Sequence, residues 1–172
     1  HKDGSDVYVE TRGSIVMSKG KPVAIQAIAR DITERKKAEA ALKEAESKLR
    51  TIFDSAADGM LLAKISDRQF STANKKMGQM LGYTEEELLQ MRVDDIHPPE
   101  SLPYVMDQFT KQVNQSITIA RDIPVLRKNG SVFFADVSAA PMNVNGEKCM
   151  LGMFRDITDR KKAEEALRQR EE

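Results

Sequence analysis

Cysteine is nearly absent from this chain. Cys149 is the only one in 172 residues, which excludes an intramolecular disulfide framework and any multi-cysteine metal site, and fits a reducing compartment. Histidine is almost as scarce. His1 and His97 are the only two, so there is no His/Asp/Ser constellation, no metal-ligand cluster and no kinase phosphoacceptor segment, and no Gly-rich phosphate loop appears either. Long apolar runs are missing: none approaches the roughly 20 residues that span a bilayer, and the opening HKDGSDVYVE has neither the basic nor the apolar region of a signal peptide. Net charge is missing too. The 27 Lys and Arg balance the 27 Asp and Glu, so no long-range field favours nucleic acid or anionic lipid. Together these absences predict a cytoplasmic chain with no catalytic site of its own, no metal, no membrane segment and no nucleic-acid partner.

What is present is a repeat. ARDITERKKAEAAL begins at Ala29 and FRDITDRKKAEEAL at Phe154, with Arg30 and Arg155, like Leu42 and Leu167, separated by 125 positions. A weaker match upstream pairs KDGS from Lys2 with KNGS from Lys128 at an offset of 126, so one residue must be absorbed near the turns SKGKP (18–22) and VNGEK (144–148). With a unit of this length, residues 1–32 are the tail of one copy and the stretch from about Lys48 to Thr158 is the one complete copy. The chain reads as cut from a tandem array, with room for one core plus accessory helices.

Each copy ends in β-hairpin signals. Asn129-Gly130 and Asn145-Gly146 sit between β-rich runs, and Asn-Gly supplies the positive φ angles of a type I′ turn. Three antiparallel strands are expected over 117–126, 131–142 and 148–155. The first carries Ile117, Ile119, Ile123 and Val125 on one parity; the last is apolar on both, as in a central strand. Two shorter strands precede them, GMLLAKI from Gly59 and QFSTAN from Gln69. Between the groups, Thr84 and Glu87 form a capping box, with Tyr83 and Leu88 placed as a hydrophobic staple. A second helix follows Pro98-Pro99 over 101–113, with Leu102, Val105, Met106, Phe109 and Val113 near one stripe. The order ββ, helices, βββ predicts an α+β domain with helices over one face of an antiparallel sheet.

The flanking segments change period. After Thr33, residues Ala38, Leu42, Ala45, Leu49 and Ile52 are spaced 4, 3, 4 and 3, the alternation of a coiled-coil seam. Such a seam calls for a partner helix and predicts a homodimer; the alternative is a solvated helix packed on its own domain. Ala163 and Leu167 restart the same phase after Thr158, and Thr33 and Thr158 are placed as N-caps.

With these elements in place, the chain resembles the PAS domains of bacterial and archaeal signalling proteins. The resemblance rests on FDSAADGMLL from Phe53, Asn74 with MLGYTEEELL from Met80, IHPPE from Ile96, RKNGSVFFADVSAAPM from Arg127 and RDITDRKKAEEAL from Arg155. It implies a five-stranded sheet of order 2-1-5-4-3, a small-molecule cavity between sheet and helices, and helices that carry state changes to an output domain elsewhere in the protein. It also implies the partition: 1–32 the closing hairpin of a preceding PAS domain, 33–53 a linker helix, 54–157 a PAS domain and 158–172 the start of an outgoing helix. The repeated segment is then the Asp-Ile-Thr junction that closes each unit. Asp156, Ile157 and Thr158, with Asp31 and Thr33 in the first copy, become the expected relay.

The resemblance leaves the cofactor unknown but excludes two. Covalent flavin photochemistry needs a cysteine in Asn-Cys-Arg, where this chain has ANKKMGQML, and an axial histidine for heme is missing from 101–115. His97, in the HPP turn, reads as structural, and Cys149 as a small buried hydrophobe. Methionine is abundant, and flexible thioethers suit an adaptable apolar site. Met60, Leu62, Met77, Met80, Met106, Phe109, Met150 and Met153 are the candidate pocket residues, with Arg121 the polar group if the ligand is anionic; a filled core without ligand is the alternative.

Overall fold

The computed structural model describes Gly4 and residues 6–171, with backbone alone at 170 and 171. The rest of the expected match between KDGS and KNGS (Lys2, Asp3 and Ser5), the start of the 1–32 segment and the last residue of 158–172 lie outside the described residues. The chain divides into two compact units that meet at Thr51/Ile52.

The first unit holds strand β1 (Val9–Ser18), strand β2 (Lys21–Asp31) and most of helix α1 (Thr33–Asp54). The two strands pair antiparallel, from Val9 opposite Asp31 to Ser18 opposite Lys21. Lys19 and Gly20 both have positive φ at the turn, 47° and 75°, as a type I′ connection requires. A register shift after Val16 moves the pairing from Ala24 to Pro22, leaving Val23 as the extra residue.

The second unit contains β3 (Gly59–Lys64), β4 (Phe70–Ala73), α2 (Lys75–Leu81), α3 (Glu85–Leu88), 3-10 turns at Val93–Ile96 and Pro99–Ser101, α4 (Leu102–Val113), β5 (Ile119–Leu126), β6 (Val132–Val144), β7 (Glu147–Asp156) and α5 (Thr158–Glu171). Its sheet runs β4-β3-β7-β6-β5, all neighbours antiparallel, which is the expected 2-1-5-4-3 order. The capping box is formed: Glu87 N donates to Thr84 Oγ1 at 3.2 Å and Thr84 N to a Glu87 carboxylate oxygen at 3.0 Å.

The hairpin β6–β7 repeats the β1–β2 hairpin in detail. Ala135 faces Asp156 as Val9 faces Asp31, Asp136 faces Arg155 as Glu10 faces Arg30, and Asn145-Gly146 form a turn with φ of 52° and 84°. No shift interrupts its register, so the residue that changes the repeat offset is Val23, at the bulge in β2. Asn129-Gly130 departs from expectation. Only Gly130 has positive φ there; Gly130 N donates to Arg127 O and Arg127 N to Ser131 O, a three-residue loop closed by a glycine bulge instead of a type I′ turn.

The core lies between the sheet and the helices. Leu61, Ala63, Phe70, Val125, Phe133, Ala135, Val137 and Phe154 from the sheet meet Met77, Leu81, Leu88, Ile96 and Val105. Gly59 permits the closest approach, since a Cβ there would stand 2.5 Å from Met77 Sδ. The single parity expected for β5 fails. A bulge between Ala120 and Ile123 turns Ala120 inward and leaves Ile119 43% exposed, whereas Ile123 and Val125 are buried. The α4 stripe includes a residue its apolar pattern omits, buried Gln112, which donates to Val137 O at 2.8 Å.

Two further buried polar side chains pin the unit. Asn74 caps α2 by accepting from Met77 N at 2.9 Å, accepts from Met60 N at 2.8 Å, and donates to Phe53 O at 3.0 Å and Asp58 O at 3.1 Å. His97 Nδ1 donates to Pro124 O at 2.6 Å, and burial pushes its imidazole below the ordinary histidine value, so the folded ring is neutral.

Each pin predicts a stability effect. Asn74→Ala strips partners from four backbone groups and is expected to cost at least about 3 kcal/mol in denaturant unfolding; a loss under about 1 kcal/mol would mean that water replaces the amide. For His97 the unfolded chain takes up a proton near the ordinary value of 6.5 while the folded ring resists it. Stability is therefore unaffected by this group above that pH and falls as pH drops below it, until the folded ring titrates. Thermal unfolding scanned from neutral to mildly acid pH should show this decline, reduced in His97→Gln.

Candidate functional site

The space between sheet and helices is small. A cavity of about 40 Å³ is bounded by Val105, Phe109 and Gln112 of α4, by His97, and by Val137 and Phe154 of the sheet. That volume holds a water or two, against the several hundred Å³ of a typical small-molecule site. Its polar groups are few and already engaged, since Gln112 donates to backbone and His97 to Pro124 O.

Of the sequence-predicted pocket residues, Phe109 lines this cavity. Met77 and Met80 of α2 are buried in the core, Met150 is buried on β7, and Met106 packs partly buried against the same cluster. Four candidates lie elsewhere. Met60 pairs with Met153 and Leu62 with Leu151, on the parity opposite the core residues Leu61, Ala63 and Phe154, so Met60, Leu62 and Met153 occupy the outer face of the sheet. The physical reason is that β3 and β7 are apolar on both parities, which hides the inward one. Arg121 sits on the β5 bulge with its side chain 66% exposed and its guanidinium 3.6 Å from Asp136. It borders an outer-face groove of about 580 Å³ together with Ile119, Ser138, Met153 and Ile157. Sequence reasoning missed Gln112, whose signal was its place on the α4 stripe seven residues after Val105, and assigned no pocket role to His97.

The two helix junctions are superimposable in their bonding. Ile157 N donates to Phe134 O as Ile32 N donates to Tyr8 O, and the first intrahelical bonds run from Lys161 N to Ile157 O and from Lys36 N to Ile32 O. Ile32 and Ile157 are therefore the helix caps by backbone position. This corrects the expectation that Thr33 and Thr158 are N-caps. They are the first helical residues, and their amides donate to Asp31 Oδ1 and Asp156 Oδ1, each at 2.8 Å. Both threonine side chains also hydrogen-bond the junction aspartate, Thr158 to Asp156 and Thr33 to Asp31, and Thr33 Oγ1 in addition accepts from Tyr8 N at 3.0 Å. Hydrogen bonds from Thr33 hold the Asp31 carboxyl below the usual carboxylate value.

Asp156 is also tied to the body of the second unit. Arg127 reaches its second carboxylate oxygen at 3.5 Å, lies 4.0 Å over the Phe133 ring and donates to Met80 O at the end of α2. The expected seam residues share one exposed face of α1, on which Leu42, Leu49 and Ile52 are 62%, 67% and 58% exposed beside exposed Ala38 and Ala45. No side chain of α1 is buried. Among the described residues, no helix is long and apolar enough to cross a membrane.

Comparison with known proteins agrees with this architecture. The PAS domain family model matches residues 57–159. The methyl sulfide methyltransferase-associated sensor of Methanosarcina acetivorans is 34% identical over 128 residues, 74% of this chain and 13% of the relative. The sensor histidine kinase TmoS of Ectopseudomonas mendocina is 26% identical over 132 residues, 75% of this chain and 14% of the relative. The chain thus spans under a sixth of either protein. Among solved structures, the PAS domain of an HTR-like protein from Haloarcula marismortui superposes with a TM-score of 0.58 at 23% identity, covering 71% of this chain and 99% of that one. The sheet order, the helices packed on one face and the family match over most of the second unit make this chain a member of the PAS domain family.

Proposed function

We propose that the chain is a sensory and dimerisation module of a multidomain signalling protein, which passes conformational change through its linker helices to an output domain outside this segment. The observation that carries the reading is the repeated junction. Two hairpins, paired alike next to the junction, launch two helices through the same bond from the threonine amide to the aspartate carboxylate. On this reading residues 1–32 are the closing hairpin of a preceding PAS domain and 54–157 the complete one. The hairpin supports it, because Ile15, Ile25 and Ile28 are 65%, 79% and 66% exposed, and an isolated two-stranded sheet is marginal in water. That the relatives are a sensor and a sensor histidine kinase supports an output domain of the kinase type.

A second reading, a structural spacer that relays motion without a ligand, is favoured by the 40 Å³ cavity. Sensing through the core requires α4 or α2 to move outward and open it. Met77, Met80 and Phe109 would then line the enlarged site, Met106 and Met150 would flank it, and Asp156, Ile157 and Thr158 would carry the change onward.

The dimer is proposed to form through the Ala38, Leu42, Ala45, Leu49 and Ile52 face of α1, which as a monomer would leave an apolar stripe over about 30 Å of helix in water. Native mass spectrometry at tens of micromolar is expected to give a dimer, converted to monomer by Leu42→Glu/Leu49→Glu with the unfolding midpoint of the second unit unchanged. A monomeric unmutated chain would sink the seam, and a noncovalent small-molecule adduct in the same spectra would decide for sensing over the spacer. At the junction, Asp156→Ala removes the acceptor of the first helical amide and is expected to cost about 1 kcal/mol, more than Thr158→Ala, which leaves that acceptor in place. Equal losses in thermal unfolding, or collapse of the whole unit with either variant, would count against a relay built on Asp156.

A further inference from the structure

Helix α5 leaves the sheet without an apolar anchor beyond its cap. Ile157 is buried, but from Asp159 to Gln169 every side chain is exposed except half-buried Lys161. Charge stands where packing would otherwise be. In β5, Ala120 pairs with Val137 and Ile123 with Ala135, so Arg121 and Asp122 together oppose the single residue Asp136. Asp122 adopts φ of 52°, a left-handed conformation that aspartate tolerates, and its amide donates to Asp136 Oδ1 at 3.1 Å. In a regular strand, neighbours 121 and 122 would point to opposite faces. The bulge instead brings a second carboxylate to α5. Asp136 lies 3.2 Å from Arg160, and Asp122 lies 3.0 Å from Lys161 and 3.7 Å from Arg160. Lys161 Nζ stands 4.3 Å from the centre of the Phe134 ring.

The first unit provides an independent instance of the central pair. By the repeat, Arg35 stands for Arg160 and Glu10 for Asp136, and their charged groups are 3.7 Å apart. Two different acidic residues, on two separate hairpins, meet the arginine at the corresponding position of the helix that each hairpin launches.

We infer that Asp122, Asp136, Arg160 and Lys161 form an electrostatic clamp that sets the exit direction of α5, and that this helix docks or releases with the charge of the patch and the ionic strength. Asp136 is the firm half, with its side chain 16% exposed; Asp122, Arg160 and Lys161 are 52%, 41% and 39% exposed, open to screening by salt. A clamp of this kind holds the helix yet yields to a modest strain in the sheet. That consequence rests on the relay reading; the geometry does not.

Backbone ¹⁵N relaxation on the 172-residue chain tests the clamp. In Asp122→Asn/Asp136→Asn, which keeps a side-chain oxygen for the 122 amide, order parameters over 159–166 are expected to fall from about 0.85 toward 0.6. Salt at about 1 M should have the same effect on the unmutated chain and none further on the variant. Arg160→Gln/Lys161→Gln changes only helix side chains and should reproduce the loss, which keeps the test decisive if the aspartate pair unfolds. Order parameters unchanged in the helix-side variant and in salt would overturn the clamp. The readout is motion of α5 and not signal output, so a loosened helix upholds the clamp even where the relay reading fails.

Discussion

The second unit depends on one buried amide. Asn74 uses two acceptor and two donor positions on its side chain to join three chain segments, adding to the backbone bond from its own amide to Met60 O: the end of α1 through Phe53 O, the start of β3 through Asp58 O and Met60 N, and the first turn of α2 through Met77 N. An unsatisfied buried amide would be costly, so the side chain enforces one mutual arrangement of these segments. The packing of α2 on the sheet inherits it. Met77 and Met80 reach the core because α2 starts where Asn74 places it, and Gly59 at the start of β3 leaves room for their thioethers. The same residue fixes where the last residues of α1 hand the chain to the sheet, so Phe53, the start of β3 and the first turn of α2 share one anchor.

The exit is built on a different principle. At the entrance the network centres on a buried neutral amide; at the exit it centres on a carboxylate. Asp156 binds the first amide of α5 on one oxygen and faces Arg127 on the other, and Arg127 in turn donates to Met80 O at the far end of α2. Helix α2 is thus bonded at its N-terminus to the entrance and at its C-terminus to the exit. A displacement of α2 would strain both ends, and the ionic end would give first, because exposed charge pairs contribute less than satisfied buried amides.

The fold was legible in the sequence because its signals are local. The capping box at Thr84 and Glu87, the Asn145-Gly146 turn and the repeated Asp-Ile-Thr segment each act within a few residues and appear where expected. The face of a two-sided strand was not legible. Met60 and Leu61 are equally apolar, and only the pairing with β7 and the position of the helices assign one outward and one inward. The β5 bulge was hidden for a related reason: Ile119, Ile123 and Val125 share a parity in the sequence, and nothing local announces the extra residue that rotates Ile119 to the outside. The side-chain cap was assigned to Thr158 because aspartate and threonine both cap helices; the cap position is Ile157, one residue earlier, and the side-chain acceptor is Asp156, two residues earlier.

The contrast between body and linkers bears on what kind of signal the module can carry. The core of the second unit is closely packed, with Leu61, Met77, Leu81, Leu88, Ile96 and Val125 fully buried, whereas α1 buries no side chain. A packed core has discrete arrangements and resists gradual deformation, so a change in the body is best described as a shift between two packings. The linker helix has no such preference by itself. Its orientation is borrowed from whatever covers the Leu42 and Leu49 face and from the junction that launches it, and a free-energy difference of about 1 to 3 kcal/mol is enough to redistribute such an element between positions. On the proposed relay reading, the body would set the alternatives, and the weakly held helices would convert a small difference between them into a movement that extends beyond the domain.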